Sequence, residues 1–92
     1  MSNYAVECHR NVEKFLKRHA ELAAAWSPIE VELSDNPYPR RGSDVIAHLK
    51  GQWLCNHRWK EGGYRFLYEV NEGERIVMVY DAAPRGQVYR AR

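Results

Sequence analysis

The feature that most constrains the fold is a change in hydrophobic spacing near the middle of the chain. In the N-terminal half, Val12, Phe15, Leu16 and His19 recur at three- and four-residue intervals, which predicts an amphipathic helix over residues 10–19. In the C-terminal half, apolar residues alternate with polar ones, as in half-buried strands. Helices followed by a run of strands predict an α+β domain.

The segment after the first helix keeps the helical spacing on both sides of Pro28. Its apolar residues are Leu22, Trp26, Ile29 and Leu33. Because proline lacks a backbone N–H, two interpretations stay open: a kinked helix over 20–35, or a new helix capped by Ser27 with Pro28 at its first position. Turn-forming residues at 36–44 then predict a surface loop, and a β-prone run at 4–8 predicts a strand, at an edge or the centre of a sheet, before the first helix.

Three runs in the second half predict an antiparallel meander, over residues 53–60, 64–70 and 76–80. We expect a four-residue loop, 60–63, between the first two strands, with Trp59 opposite Tyr64. That register also places Arg58 opposite Arg65 on the polar face. Two facing guanidinium groups repel each other, which either a bound phosphate or nearby carboxylates such as Glu61 and Glu69 would relieve.

The composition indicates a single globular domain over residues 1–92. The chain is 45% hydrophobic and 28% charged, which excludes a disordered tail or a coiled coil. No apolar run approaches the roughly 20 residues of a membrane span, and the first ten residues lack the apolar core of a signal peptide. We therefore expect a cytoplasmic protein without a membrane partner.

Two cysteines are too few for a disulfide framework, and we expect buried thiols. The pairs Cys8–His9 and Cys55–His57 match a zinc set in composition, but their spacing is not that of a zinc finger, so we predict no metal. The chain carries a formal net charge of +2, and after Asp81 its only charged residues are three arginines: Arg85, Arg90 and Arg92. This cationic end is suited to phosphate contacts, although a solvated tail would have the same composition.

Four segments together resemble the RelE/ParE superfamily of type II toxin–antitoxin toxins. They are Leu33-x-x-Asn36-Pro37, His48-Leu49-Lys50-Gly51, Gly63-Tyr64-Arg65-Phe66-Leu67-Tyr68-Glu69-Val70 and Arg85-x-x-Val88-Tyr89-Arg90. Each is weak alone, but their order and spacing together are specific. With the strand and the helix pair before them, the likeness covers nearly the whole chain. The resemblance implies an N-terminal strand and two helices packed on a C-terminal antiparallel meander, with a short C-terminal helix or tail.

RelE-like members are ribosome-dependent endoribonucleases that cut mRNA without a metal or other cofactor, using the substrate's own 2′-hydroxyl as nucleophile. The resemblance therefore implies three partners: the ribosome, mRNA and a cognate antitoxin. It assigns Arg65 and Arg85 to the cleaved phosphate and Tyr89 to proton transfer. It assigns further contacts with RNA to Arg58, Lys50, Lys60 and Arg90.

Two departures from the family pattern keep other functions open. Asn56 stands where some relatives carry a lysine, and Ala83-Pro84-Arg85 replaces the usual Gly-His-Arg or Gly-Lys-Arg. Fewer cations fit a ParE-like gyrase inhibitor or a toxin that only binds its antitoxin. A histidine is an alternative proton acceptor: His57, which the alternation places on the apolar face, or His48, which we expect in a loop.

Overall fold

Two helices and five strands make up the part of the chain that the computed structural model describes, residues 3–49 and 56–84. In chain order they are β1 (Ala5–Cys8), α1 (Arg10–Arg18), α2 (Ala20–Asp35), β2 (Ile46–His48), β3 (His57–Glu61), β4 (Tyr64–Asn71) and β5 (Ile76–Pro84). The predicted α+β class is confirmed. The predicted bounds of β1, α1 and α2 agree with the structure to within one residue.

Local signals explain where α1 begins and how α2 accommodates its proline. The side chain of His9 caps α1 by accepting a hydrogen bond at 3.1 Å from the backbone N–H of Asn11. Helix α2 continues through Pro28, so one helix spans the segment, as the first of the two interpretations predicted, and no new helix begins at Ser27. Pro28 and Ala24, whose carbonyl loses its helical partner, are both exposed, so water can solvate that oxygen.

The five strands form one sheet in the order β1-β5-β4-β3-β2. Strands β3, β4 and β5 form the predicted antiparallel meander, while β1 is an edge strand that runs parallel to β5. The other edge strand, β2, pairs with β3 and was not predicted. With three residues, it is too short to produce a visible alternation in the sequence.

Both helices pack on one face of the sheet, which leaves the other face uncovered by them. The core joins Val12 of α1 and Leu33 of α2 to Phe66, Tyr68 and Val79 of the sheet, all with no exposed surface. None of the helices in the described residues is long and apolar enough to cross a membrane.

Strand β5 extends four residues beyond its predicted end at residue 80, because the first half of β4 pairs with it. Leu67 faces Asp81 but Tyr68 faces Val79, so Tyr80 is an extra residue that forms a β-bulge. Past the bulge, Asp81 and the two alanines that follow are poor strand formers, and cross-strand pairing imposes their conformation.

Candidate nucleic-acid interface

The β3–β4 hairpin has a tighter turn than the sequence predicted. Its loop is Gly62–Gly63, with a φ of +57° at Gly62, and Trp59 faces Phe66 instead of Tyr64. Positive φ at the first residue of a two-residue loop is what a type II′ hairpin requires, and glycine adopts it without strain. The predicted four-residue loop was therefore wrong.

The register correction changes which cations are neighbours. Arg58 faces Leu67, and Arg65 faces Lys60, so the predicted Arg58–Arg65 pair is wrong. A shift of two residues leaves each side chain on its original face, because strand side chains alternate with a period of two. Arg58, Lys60 and Arg65 therefore still share the sheet face turned away from the helices; we call these three residues the cationic face.

Arg65 is a fixed member of the cationic face. The residue is 6% exposed, and its Nη1 donates hydrogen bonds of 2.8 Å to the carbonyl oxygens of Gly62 and Tyr64. The guanidinium therefore closes the hairpin turn that precedes it. Its charge is held in one orientation by the backbone.

Arg58 tethers the loop between α2 and β2. Its Nη1 donates to the carbonyl oxygens of Asp44 at 2.7 Å and Val45 at 2.9 Å. Within residues 3–49 and 56–84, Arg58 makes no ion pair with a carboxylate, which excludes pairing with Glu61 or Glu69 there. The structure therefore gives this arginine an anchoring role that the sequence did not predict.

Two acidic residues that the sequence analysis did not single out lie beside the cations. The Lys60 ammonium forms an ion pair with Asp44, and this hydrogen bond and charge lower the pKa of the Asp44 carboxyl. Asp81 faces Leu67, one row along the sheet from Arg65 on the same face. No local pattern marks either residue, because the loop and the extended β5 bring them here.

The two histidine candidates lie at the edge of the core, on the helix side of the sheet. His57 is 5% exposed and stacks on Tyr68 with ring centroids 5.5 Å apart. Burial, followed by the nearby charge of His48, lowers the pKa of His57 to about 4, so its imidazole is neutral at pH 7. His48 is the last residue of β2 and is exposed; its predicted position in a loop was wrong.

The cysteine of β1, Cys8, is a half-buried free thiol, whereas the sequence predicted a buried one. Burial raises the pKa of Cys8 to about 11, which keeps the sulfur protonated. No three side chains among His, Cys, Asp and Glu converge as a metal-ligand set in the described ranges. Cys55, the other half of the zinc alternative, lies outside them.

Two open grooves lie away from Arg58 and Arg65. One, of about 980 Å³, runs between β1 and the end of α2, where Arg40 and Arg75 line it with acidic residues. The other, of about 380 Å³, lies between the α2–β2 loop and β3 and includes Lys60. Neither of these two grooves is lined by Arg58 or Arg65.

Solved structures share this arrangement of helices and strands. A chain of the toxin–antitoxin complex RelBE2 from Mycobacterium tuberculosis matches with a TM-score of 0.74 and 21% identity, over 92% of this chain and 94% of that one. A chain of the archaeal RelE–RelB complex from Pyrococcus horikoshii matches with a TM-score of 0.66 and 27% identity, over 92% and 98%. The fold of the chain is RelE-like. The resemblance that the four sequence segments indicated is thus confirmed.

The RelE-like assignment depends on the fold. No family model matches the chain, and no match is found among curated proteins. Identities of 21% and 27% leave little sequence signal, whereas coverage above 90% on both sides shows that the shared fold extends over nearly the whole of each chain.

Several candidate residues of the RelE-like chain lie outside the described residues. They are Lys50, Arg85, Tyr89 and Arg90, with the predicted C-terminal helix or tail. Convergence of Arg85 and Tyr89 on Arg65 therefore stays a prediction. Of the predicted RNA-contacting residues, the structure brings together Arg58, Lys60 and Arg65.

Proposed function

We propose that this RelE-like chain is the toxin of a type II toxin–antitoxin system and is held inactive by a cognate antitoxin. The proposal is supported by full-length similarity to chains from two toxin–antitoxin complexes. An antitoxin segment that covers the cationic face would block the approach of RNA through steric overlap and charge neutralisation.

The proposed activity is metal-independent, ribosome-dependent cleavage of mRNA. The observation that carries it is the facing pair Lys60 and Arg65, with Arg58 on the same face of the sheet, turned away from the helices. A phosphate placed between two cations that face each other across a strand pair is attracted by both of them. Arginine held by backbone carbonyls, as Arg65 is, costs little reorganisation when charge develops on the phosphate.

In the proposed reaction, the substrate's 2′-oxygen attacks the adjacent phosphorus while the bond from phosphorus to the 5′-oxygen breaks. The 2′-hydroxyl proton passes to a base, and the leaving 5′-oxygen takes up a proton. The products are a cyclic 2′,3′-phosphate and a 5′-hydroxyl end, with no oxidant or cofactor required. Cations stabilise the negative charge that builds on the phosphate oxygens in the transition state.

We assign the roles within this scheme as follows. Arg65 and Arg85 bind the cleaved phosphate, and Tyr89 accepts or relays the proton; neighbouring cations lower a phenol pKa toward the range in which it can do so. Arg58, Lys50, Lys60 and Arg90 bind flanking phosphates. We disfavour both histidine alternatives, because His57 and His48 face each other across β2 and β3 on the helix side of the sheet, away from the cationic face.

The test is induction in cells of the wild type, Arg65→Lys, Tyr89→Phe and the control Arg41→Gln, followed by mapping of mRNA 5′ ends. Arg65→Lys keeps a charge but loses the planar fork of donors. Arg41 is exposed and makes no ion pair with the described residues, so its loss tests net charge alone. We expect new 5′-hydroxyl ends with the wild type and Arg41→Gln, and strongly reduced cleavage with the other two.

Other results would indicate a different function for this protein. Growth arrest with inhibited DNA gyrase and no new mRNA ends would indicate a ParE-like inhibitor. Antitoxin binding without any effect on growth would indicate a toxin that has lost its activity. Cleavage by Arg65→Lys at the wild-type rate would contradict the role assigned to Arg65.

A further inference from the structure

A second group of cations lies on the opposite side of the molecule from the cationic face. The outer surface of α1 carries Arg10, Lys14, Lys17 and Arg18, all exposed. Residues three and four apart share one face of a helix, so these four form a continuous stripe about 12 Å long. The buried residue of α1, Val12, points the other way, into the core.

This stripe is costly for the helix by itself. The pairs Arg10–Lys14, Lys14–Lys17 and Lys14–Arg18 are like charges at the spacing where side chains interact. The helix dipole favours Lys17 and Arg18 in the last turn but opposes Arg10 in the first. Within the described ranges none of the four forms an ion pair, including Lys17 with Glu13, the one acidic residue of α1.

The chemistry of the stripe matches a phosphate backbone better than a protein. Protein interfaces have an apolar centre and are depleted of lysine, whereas no apolar side chain interrupts these cations. Single-stranded nucleic acid is bound by exposed aromatic rings on which bases stack. The aromatic residue of α1, Phe15, is occupied instead, stacked on His19 with ring centroids 4.0 Å apart.

We infer that the outer face of α1 is a second RNA-contacting surface, which binds the phosphate backbone of folded RNA while the cationic face meets the RNA that is cut. The inference rests on the proposed function in treating RNA as the partner. It adds a docking surface that carries no reactive group and contacts RNA through charge alone.

Binding is measured by fluorescence anisotropy with a labelled RNA stem-loop whose riboses all carry 2′-O-methyl groups, over a range of salt concentrations. This probe lacks the nucleophile for cleavage, so binding is read separately from activity. Each lost phosphate contact lowers the slope of log affinity against log salt by about 0.7 to 0.9. We expect that loss for Lys14→Gln and about twice that loss for Lys14→Gln combined with Arg18→Gln.

Two controls separate a local contact from net charge and from unfolding. Arg41→Gln removes one exposed charge elsewhere and should leave the slope unchanged. Lys14→Arg keeps the charge and should therefore keep the salt slope of the wild type. Lysine, arginine and glutamine have similar helix propensities, so the circular dichroism spectra should match across the series.

Equal slopes for Lys14→Gln and the wild type would overturn the inference, as would an equal loss for Arg41→Gln. So would α1 variants that weaken antitoxin binding while RNA binding is unchanged, because the stripe would then be a protein surface. If the chain binds RNA through α1 but cuts no mRNA, the proposed function fails alone. If it cuts mRNA while α1 variants bind like the wild type, this inference fails alone.

Discussion

Lys60 and Arg65 face each other across the β3–β4 hairpin, on the side of the sheet that the helices leave uncovered. Lys60 is partly neutralised by Asp44, while Arg65 is held by two backbone carbonyls of the adjacent turn. The hairpin turn therefore determines both the position of the cations and the orientation of Arg65. Four predictions follow from the contacts around this hairpin and the core beneath it.

The turn itself should depend on one glycine more than on the other. Gly62 has a φ of +57° and Gly63 does not have a positive φ, while a Cβ added at either position meets nothing within 4 Å. Gly62→Ala should therefore cost about 1 to 2 kcal/mol of unfolding free energy through backbone strain alone. Gly63→Ala should stay within about 0.5 kcal/mol of the wild type. Urea unfolding measures the free energy of unfolding of both variants, and equal losses would contradict a positive φ at Gly62 alone.

Arg58 should be needed for its geometry as well as its charge. Arg58→Lys replaces the planar guanidinium, whose Nη1 donates to the carbonyls of both Asp44 and Val45, with a more mobile ammonium, so we expect a loss of about 1 kcal/mol. The Lys60 amide, which donates to the Val45 carbonyl at 2.7 Å, should exchange its hydrogen faster. Arg41→Lys is the matched control, and unchanged exchange in Arg58→Lys would rule out the tether.

The hydroxyl of Tyr68 should contribute more to stability than that of Tyr64. Tyr68 is fully buried and donates a 2.6 Å hydrogen bond to the carbonyl of Pro37, whereas Tyr64 donates at the surface to Glu21. Tyr68→Phe leaves the Pro37 carbonyl without that partner and should cost about 1 to 3 kcal/mol. Tyr64→Phe should change the denaturation midpoint little. Similar midpoints for the two variants would count against this hydrogen bond.

Stability should fall in mild acid because His57 is buried in its neutral form. Its folded pKa is about 4, below the ordinary 6.5, so the unfolded chain binds the proton first as pH falls. Stability contributed by the neutral ring is present above pH 6.5 and is lost progressively toward pH 4. Between pH 7 and 5 the loss should be about 2 kcal/mol.

The variant His57→Phe keeps a ring on Tyr68 and removes the titration. Its unfolding free energy should change far less between pH 7 and 5 than that of the wild type. A variant with the wild-type pH dependence would show that another group is responsible.

The elements whose signals are local could be predicted from the amino-acid sequence. Helical spacing at residues 10–35 and alternation at 64–70 each depend on neighbours a few residues away, so α1, α2 and β4 were predicted within one or two residues. The same alternation assigned Arg58 and Arg65 to the polar face and His57 to the apolar one, because a side chain's face survives any even shift of register.

Which residues are neighbours in space depends on contacts between distant segments. The two-residue turn at Gly62–Gly63, the parallel pairing of β1 with β5 and the extension of β5 past the bulge at Tyr80 all depend on pairing between distant segments. Such pairing is set by the packing of both sheet faces and by turn geometry, which no local window contains. Lys60 opposite Arg65, and Arg58 on the carbonyls of Asp44 and Val45, are products of that pairing.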